Sequence, residues 1–119
     1  MLKVLVIDND VESREIMRQH LLRLGVEVLI VDTGELAIEE MQKSAFDAVF
    51  APLCLYGLGG RGIARWVKAN GMDATRVFIV TSWKGELELD LLRFDGIRGV
   101  IRKPFVFSEI RNAVMENPG

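Results

Sequence analysis

Short apolar runs alternate with longer amphipathic segments along the whole chain, the pattern of parallel strands joined by crossover helices. Val4-Leu5-Val6-Ile7 is β-branched and carries no polar alternation, as a strand covered on both faces requires. Asn9 or Asp10 can cap a following helix that runs to about residue 24. In it Met17, Leu21 and Leu24 recur at i, i+4 and i+7, and Gly25 ends the run. Residues 26–31 read as a second strand, with Glu27 near its start marking an edge. Asp32 or Thr33 precedes a second helix at about 35–43, with Leu36, Ile38 and Met41 as its apolar positions. A third strand at 47–51 leads through an irregular, glycine-rich loop to a third helix at about 62–69. The remaining elements are a strand at 77–81, a helix at 86–94, a strand at 99–102 and a closing helix at 107–116 with Ser108 near its start.

Five βα units predict an α/β fold with one parallel five-stranded sheet, covered by helices on both faces through right-handed crossovers. The doubly wound order 2-1-3-4-5 is the common small solution, and its ligands lie at the carboxyl ends of the strands beside the switch point between strands one and three. The residues that reach this edge are Asp8-Asn9-Asp10, residues 51–54, Thr81-Ser82 and Arg102-Lys103. Trp83 lies just past the fourth strand, two residues after Thr81.

Composition narrows the function classes. The 119 residues read as one domain, 50% hydrophobic and 27% charged, which excludes global disorder. Fifteen Lys and Arg against 17 Asp and Glu leave a net charge of −2, with no clustered basic patch of the kind that binds nucleic acid. Cys54 is the single cysteine, so an internal disulfide and a cysteine-rich metal site are excluded. The apolar run at residues 4–7 is shorter than the roughly 7–15 residues of a secretory signal core. The longest uncharged stretch, residues 48–60, holds Pro52 and three glycines and falls short of the about 20 residues of a membrane span. A cytoplasmic location is expected, with no membrane contact.

The chemistry at the sheet edge carries a resemblance. Val4-Leu5-Val6-Ile7-Asp8-Asn9-Asp10, Phe46-Asp47-Ala48-Val49, Thr81-Ser82 and Ile101-Arg102-Lys103-Pro104-Phe105 stand in an ordered set over the whole chain, 29 residues separating position 52 from Thr81 and 22 separating Thr81 from Lys103. This set resembles the response-regulator receiver domain, the CheY-like phospho-accepting module of two-component signalling, with its flavodoxin-like sheet. The resemblance implies one receiver-like domain over 1–119. In the family a carboxylate ending the third strand accepts a phosphoryl group, neighbouring acids hold Mg²⁺, and a Lys and a hydroxyl bind the phosphoryl oxygens. Carried over, Asp8, Thr81 and Lys103 match, and a cis Lys103-Pro104 bond is implied.

The departures weigh more. The phosphoacceptor position falls on Pro52, which has no nucleophile; the second acid falls on the neutral Asn9; Tyr56 replaces a usual Pro; and the aromatic switch position paired with Thr81 falls on Val100. Asp8, Asn9, Asp10, Pro52, Thr81 and Lys103 thus read as a vestigial phosphorylation pocket, with Asp8 and Asp10 giving a weak metal site at best and no cofactor expected. The reading is a degenerate pseudo-receiver, acting in two-component, phosphorelay-type signalling by phosphorylation-independent contact with other signalling proteins or an output domain. A homodimer is left open, and direct nucleic-acid binding is not expected.

Other features read more plainly. Asp8 and Lys103 are expected to form a structural ion pair, Asp47 lies at the far end of its strand, His20 reads as a surface histidine, and Cys54 lacks the His and Asn partners of a nucleophile. Gly57-Leu58-Gly59-Gly60-Arg61-Gly62 spells a dinucleotide fingerprint, but its first glycine does not follow the strand directly and no acid stands about 20 residues on. On the fourth helix, counting 100° per residue from Leu87 places Leu91 and Phe94 on the core face, with Leu89 and Leu92 turned outward as a partner face. No activated nucleophile with a base and orienter is present, so an enzyme is not expected. The alternative function is a small-molecule or nucleotide sensor using the glycine-rich loop and the vacated acidic pocket.

Overall fold

The computed structural model describes residues 1–53 and 58–115. Cys54, Tyr56 and Gly57, singled out above, lie outside the described residues, as does Glu116 at the expected end of the last helix. Strands β1 (Lys3–Ile7), β2 (Glu27–Val31), β3 (Ala48–Pro52), β4 (Arg76–Thr81) and β5 (Ile97–Arg102) form one parallel sheet in the order β2-β1-β3-β4-β5. The expected architecture is therefore the observed one, with β2 and its Glu27 at an edge.

Residues alternate between two cores along each strand. Leu5, Ile7, Val49, Ala51, Val77 and Ile79 face one core, which is closed by helices α2 (Gly34–Lys43), α3 (Gly60–Ala69) and α4 (Leu89–Phe94) through Ala37, Met41, Ile63, Ala64, Val67 and Leu92. Val4, Val6, Ala48, Phe50, Phe78 and Val80 face the other, closed by α1 (Val11–Arg23) and α5 (Phe107–Val114) through Met17, Leu21, Ile110, Ala113 and Val114. Both faces are dry, which is why these strands carry unbroken apolar runs.

Capping chemistry sets the helix ends. Asp10 accepts from Ser13 N at 3.1 Å and starts α1, and Gly25, at φ +72°, reverses the chain after it. Thr33 Oγ1 accepts from Leu36 N at 3.2 Å and starts α2 at Gly34, where a Cβ would stand 2.2 Å from the Leu58 carbonyl oxygen. The small Ala37 is buried in place of Leu36, which is exposed. His20 is half-buried, not a free surface residue: its ring meets Phe105 edge-on at 6.5 Å and Phe107 at 5.6 Å.

The fourth helix departs most from expectation. It begins at Leu89 instead of residue 86, with Leu92 N donating to Glu88 O at 3.1 Å. Glu86 instead offers its carbonyl to the Trp83 indole N–H at 3.3 Å. Leu87 does pack against the core, but from the non-helical approach, so helical counting from it gives the wrong phase. Leu92 is the buried residue, at 5% exposure, and is not part of an outward face; Leu91 and Phe94, at 41% and 75%, point outward with Leu89.

Arg76 is buried at the start of β4 and donates from Nη1 to Ala113 O at 2.8 Å and from Nη2 to Val114 O at 2.9 Å. Its guanidinium thereby satisfies carbonyls that the last turn of α5 leaves without helical partners.

Two outcomes are expected from these contacts. Arg76→Ala removes two charge-assisted hydrogen bonds and should cost about 3 kcal/mol in urea unfolding, with Arg76→Lys restoring only part because an ammonium lacks the planar fork. Leu89→Glu should shift stability by less than about 0.5 kcal/mol while Leu92→Glu costs several times more; equal losses would contradict the helical phase described.

Candidate functional site

The carboxyl ends of β1, β3, β4 and β5 converge on an open cleft of about 680 Å³. Asp8 follows β1, its backbone N–H donating to Val31 O at 3.0 Å. Its Oδ1 accepts from Asp10 N at 2.9 Å and its Oδ2 lies 3.6 Å from Lys103 Nζ. The expected Asp8–Lys103 ion pair is present. Lys103 is aimed by its strand, its N–H donating to Thr81 O at 2.8 Å, and the peptide bond to Pro104 is cis as the resemblance implied.

Thr81 ends β4 buried, with Oγ1 accepting from Trp83 N at 3.0 Å. Pro52 ends β3 and pairs in register with Val80, so position 52 stands in the same cleft as Asp8, Thr81 and Lys103. Asn9 and Asp10 are exposed on the cleft wall, and the Asp10 carboxylate is committed to capping α1. All six residues read from the sequence as one pocket are thus brought together. Val100, read as the other half of a switch, is half-buried on β5 against the α2–α3–α4 core and is not among the cleft residues. Leu89 lies away from the cleft, beside a smaller groove with Arg93, Arg98 and Arg102. Asp47 sits at the far end of its strand, where it accepts from Lys3 N at 2.8 Å.

The donor set does not fit a hard dication. Mg²⁺ takes an octahedral set of oxygens, keeping several waters and needing one or two uncommitted carboxylates to anchor it. Here Asp8 is held by a lysine and a backbone N–H, Asp10 caps a helix, Asn9 is neutral and Pro52 contributes no side-chain donor. Among the described residues no three His, Cys, Asp or Glu side chains are grouped to hold a metal ion.

Sequence reasoning placed Trp83 after β4 without a binding role and gave none to Lys84, yet both line the cleft. The Trp83 carbonyl accepts from Arg102 Nη1, which joins the β4 exit loop to β5. The available signal was position: a large aromatic and a lysine directly after a strand at the ligand-bearing edge.

Comparison with known proteins agrees with this geometry. The family model for the response regulator receiver domain matches residues 4–115. The virulence sensor protein BvgS of Bordetella pertussis is 35% identical over 121 aligned positions, covering 97% of this chain and 10% of that protein. The chain thus spans about a tenth of the length of that curated relative. Among solved structures, the signal receiver domain of the response regulator NarL from Mycobacterium tuberculosis superposes with a TM-score of 0.85 at 24% identity, covering 95% of this chain and 92% of that one. The chemotaxis protein CheY4 of Vibrio cholerae gives 0.83 at 22% identity, covering 94% of each chain. With its sheet order, its cleft and its sequence all in agreement, the chain belongs to the response regulator receiver domain family.

Proposed function

We propose that this receiver domain works without an aspartyl phosphate. In this reading it is a non-catalytic module of two-component signalling that binds other signalling proteins, by itself or as the receiver segment of a longer cytoplasmic sensor or regulator. One observation carries the reading: Pro52, which has no nucleophilic atom, occupies the end of β3 in the cleft shared by Asp8, Thr81 and Lys103. The charges support it. The carboxylate that would help hold a metal is paired with Lys103, and the Thr81 hydroxyl oxygen accepts from the Trp83 N–H.

A pocket held by internal pairs suits a constitutive conformation better than a switched one. Val100 in place of an aromatic gives Thr81 no bulky partner to move. For contact with partners, α4 exposes Leu91 and Phe94 on one flank and Leu89 on the other. A second copy of the chain or another signalling protein is the partner class such a surface accommodates.

Incubation with acetyl phosphate and Mg²⁺ should leave the intact mass of the chain unchanged; an added phosphoryl group labile as an acyl phosphate would overturn the reading. The double substitution Asn9→Asp with Pro52→Asp should rebuild a carboxylate cluster around Lys103, whose mutual repulsion favours a bound dication. A saturable Mg²⁺-dependent change in Trp83 fluorescence is expected in the double variant and not in the parent, with Trp66 on α3 as constant background. A folded but silent double variant would show that the β3 end lacks receiver geometry.

A further inference from the structure

The rim of the cleft carries a group that the signalling reading leaves unused. Trp83 is 57% exposed, yet it is held at several points: its backbone N–H by Thr81 Oγ1, its carbonyl by Arg102 and its indole N–H by Glu86 O. Gly85 permits this placement, since a Cβ there would come within 2.5 Å of indole Cζ2. A large aromatic fixed by polar contacts instead of burial presents a ready π surface at low entropic cost to a ligand.

The cleft is lined by two carboxylates, Asp8 and Asp10, and two lysines, Lys84 and Lys103, and the groups already committed decide which donors are left for a ligand. Asp8 is balanced by Lys103, and Asp10 is turned to the N-terminus of α1. Lys84 has no hydrogen bond or ion pair among the described residues, so its ammonium is uncommitted at the rim of the cleft. At 3.6 Å from Asp8, Lys103 is beyond ordinary hydrogen-bond length and keeps its ammonium donors. The Thr81 O–H, which accepts from Trp83 N, can still donate, and Ser82 lies exposed beside it. The cleft volume of about 680 Å³ lies within the roughly 300–1,000 Å³ of small-molecule sites.

An aromatic platform, two lysines and nearby hydroxyls in one cleft describe a ligand with a planar ring at one end and an oxyanion at the other. We infer that the cleft binds a nucleoside monophosphate, its base stacked on Trp83 and its phosphate held by Lys84 and Lys103. The Ser82 hydroxyl and the Asn9 amide supply partners for the sugar. Binding needs neither phosphoryl transfer nor a metal, and it goes beyond the partner-binding reading without depending on which partner is bound.

Calorimetric and fluorescence titration of the chain with AMP tests this, with adenosine and inorganic phosphate as separate arms. AMP should bind saturably and perturb Trp83 emission, and each fragment alone should bind at least about tenfold more weakly. Trp83→Leu, followed by calorimetry because it removes the reporter, should weaken AMP about tenfold or more, in line with base–aromatic stacking. Gly85→Val should weaken binding in the same direction by displacing the indole while keeping it. Lys84→Ala should reduce affinity for AMP severalfold and leave adenosine unaffected.

Absence of AMP binding overturns the inference, as does inorganic phosphate binding as tightly as AMP, or Trp83→Leu binding AMP unchanged. None of these results bears on the phosphodonor test, which reads a covalent phosphoryl adduct on the chain.

Discussion

Parallel pairing along the sheet decides where every chemical group in this protein ends up. Ile7 pairs with Val31, Val6 with Phe50, Pro52 with Val80 and Thr81 with Arg102. Those registers carry the residues that follow, from Asp8 to Lys103, to one edge although the chain between them runs through all five strands. A one-residue slip would exchange the two faces of a strand, and here both faces are committed to separate cores. The Phe50 and Phe78 rings, stacked at 5.5 Å on one of those faces, show how closely neighbouring strands are matched. Geometry at the cleft is therefore maintained by core packing on both faces of the sheet. Pairing of β1 with β3 ends at Phe50, so a proline at the last position of β3 interrupts no ladder on that side.

Electrostatics at the edge follow from the same placement. With acids at 8, 9 and 52 the cleft would carry a surplus of negative charge that a dication relieves; with Asn9 and Pro52 the remaining Asp8 is matched by Lys103 alone. Asp10 serves the helix by accepting from Ser13 N. Lys84 adds an ammonium without a partner among the described residues, and Trp83 lines the same cleft with an exposed indole.

Elsewhere, individual polar contacts hold the shorter elements. Asp95, buried at the end of α4, accepts from Arg61 Nε at 2.6 Å and so ties α3 to the turn before β5. Arg76 performs the same service for α5 from the start of β4. The six-residue α4 and the eight-residue α5 are each anchored by a charged contact in addition to their buried side chains.

Much of this was legible in the residues. Unbroken apolar runs identified the strands, because a strand buried on both faces has no polar side to show. The order of those runs placed the switch point, and Asp8, Asn9, Asp10, Pro52, Thr81 and Lys103 all reached one cleft because each lies at a strand's carboxyl end. The absence of a nucleophile at 52 is a property of proline itself and needs no structure. Tertiary structure alone decided the phase of α4: one short helix has too few turns for periodicity to choose, so docking of Leu92 against the core turned Leu91 and Phe94 outward. It also decided that His20 meets two phenylalanine rings, that Arg76 reaches carbonyls 37 and 38 residues away, and that Trp83 lines the cleft. These are contacts between side chains distant in sequence, and local pattern carries no information about which distant surfaces meet.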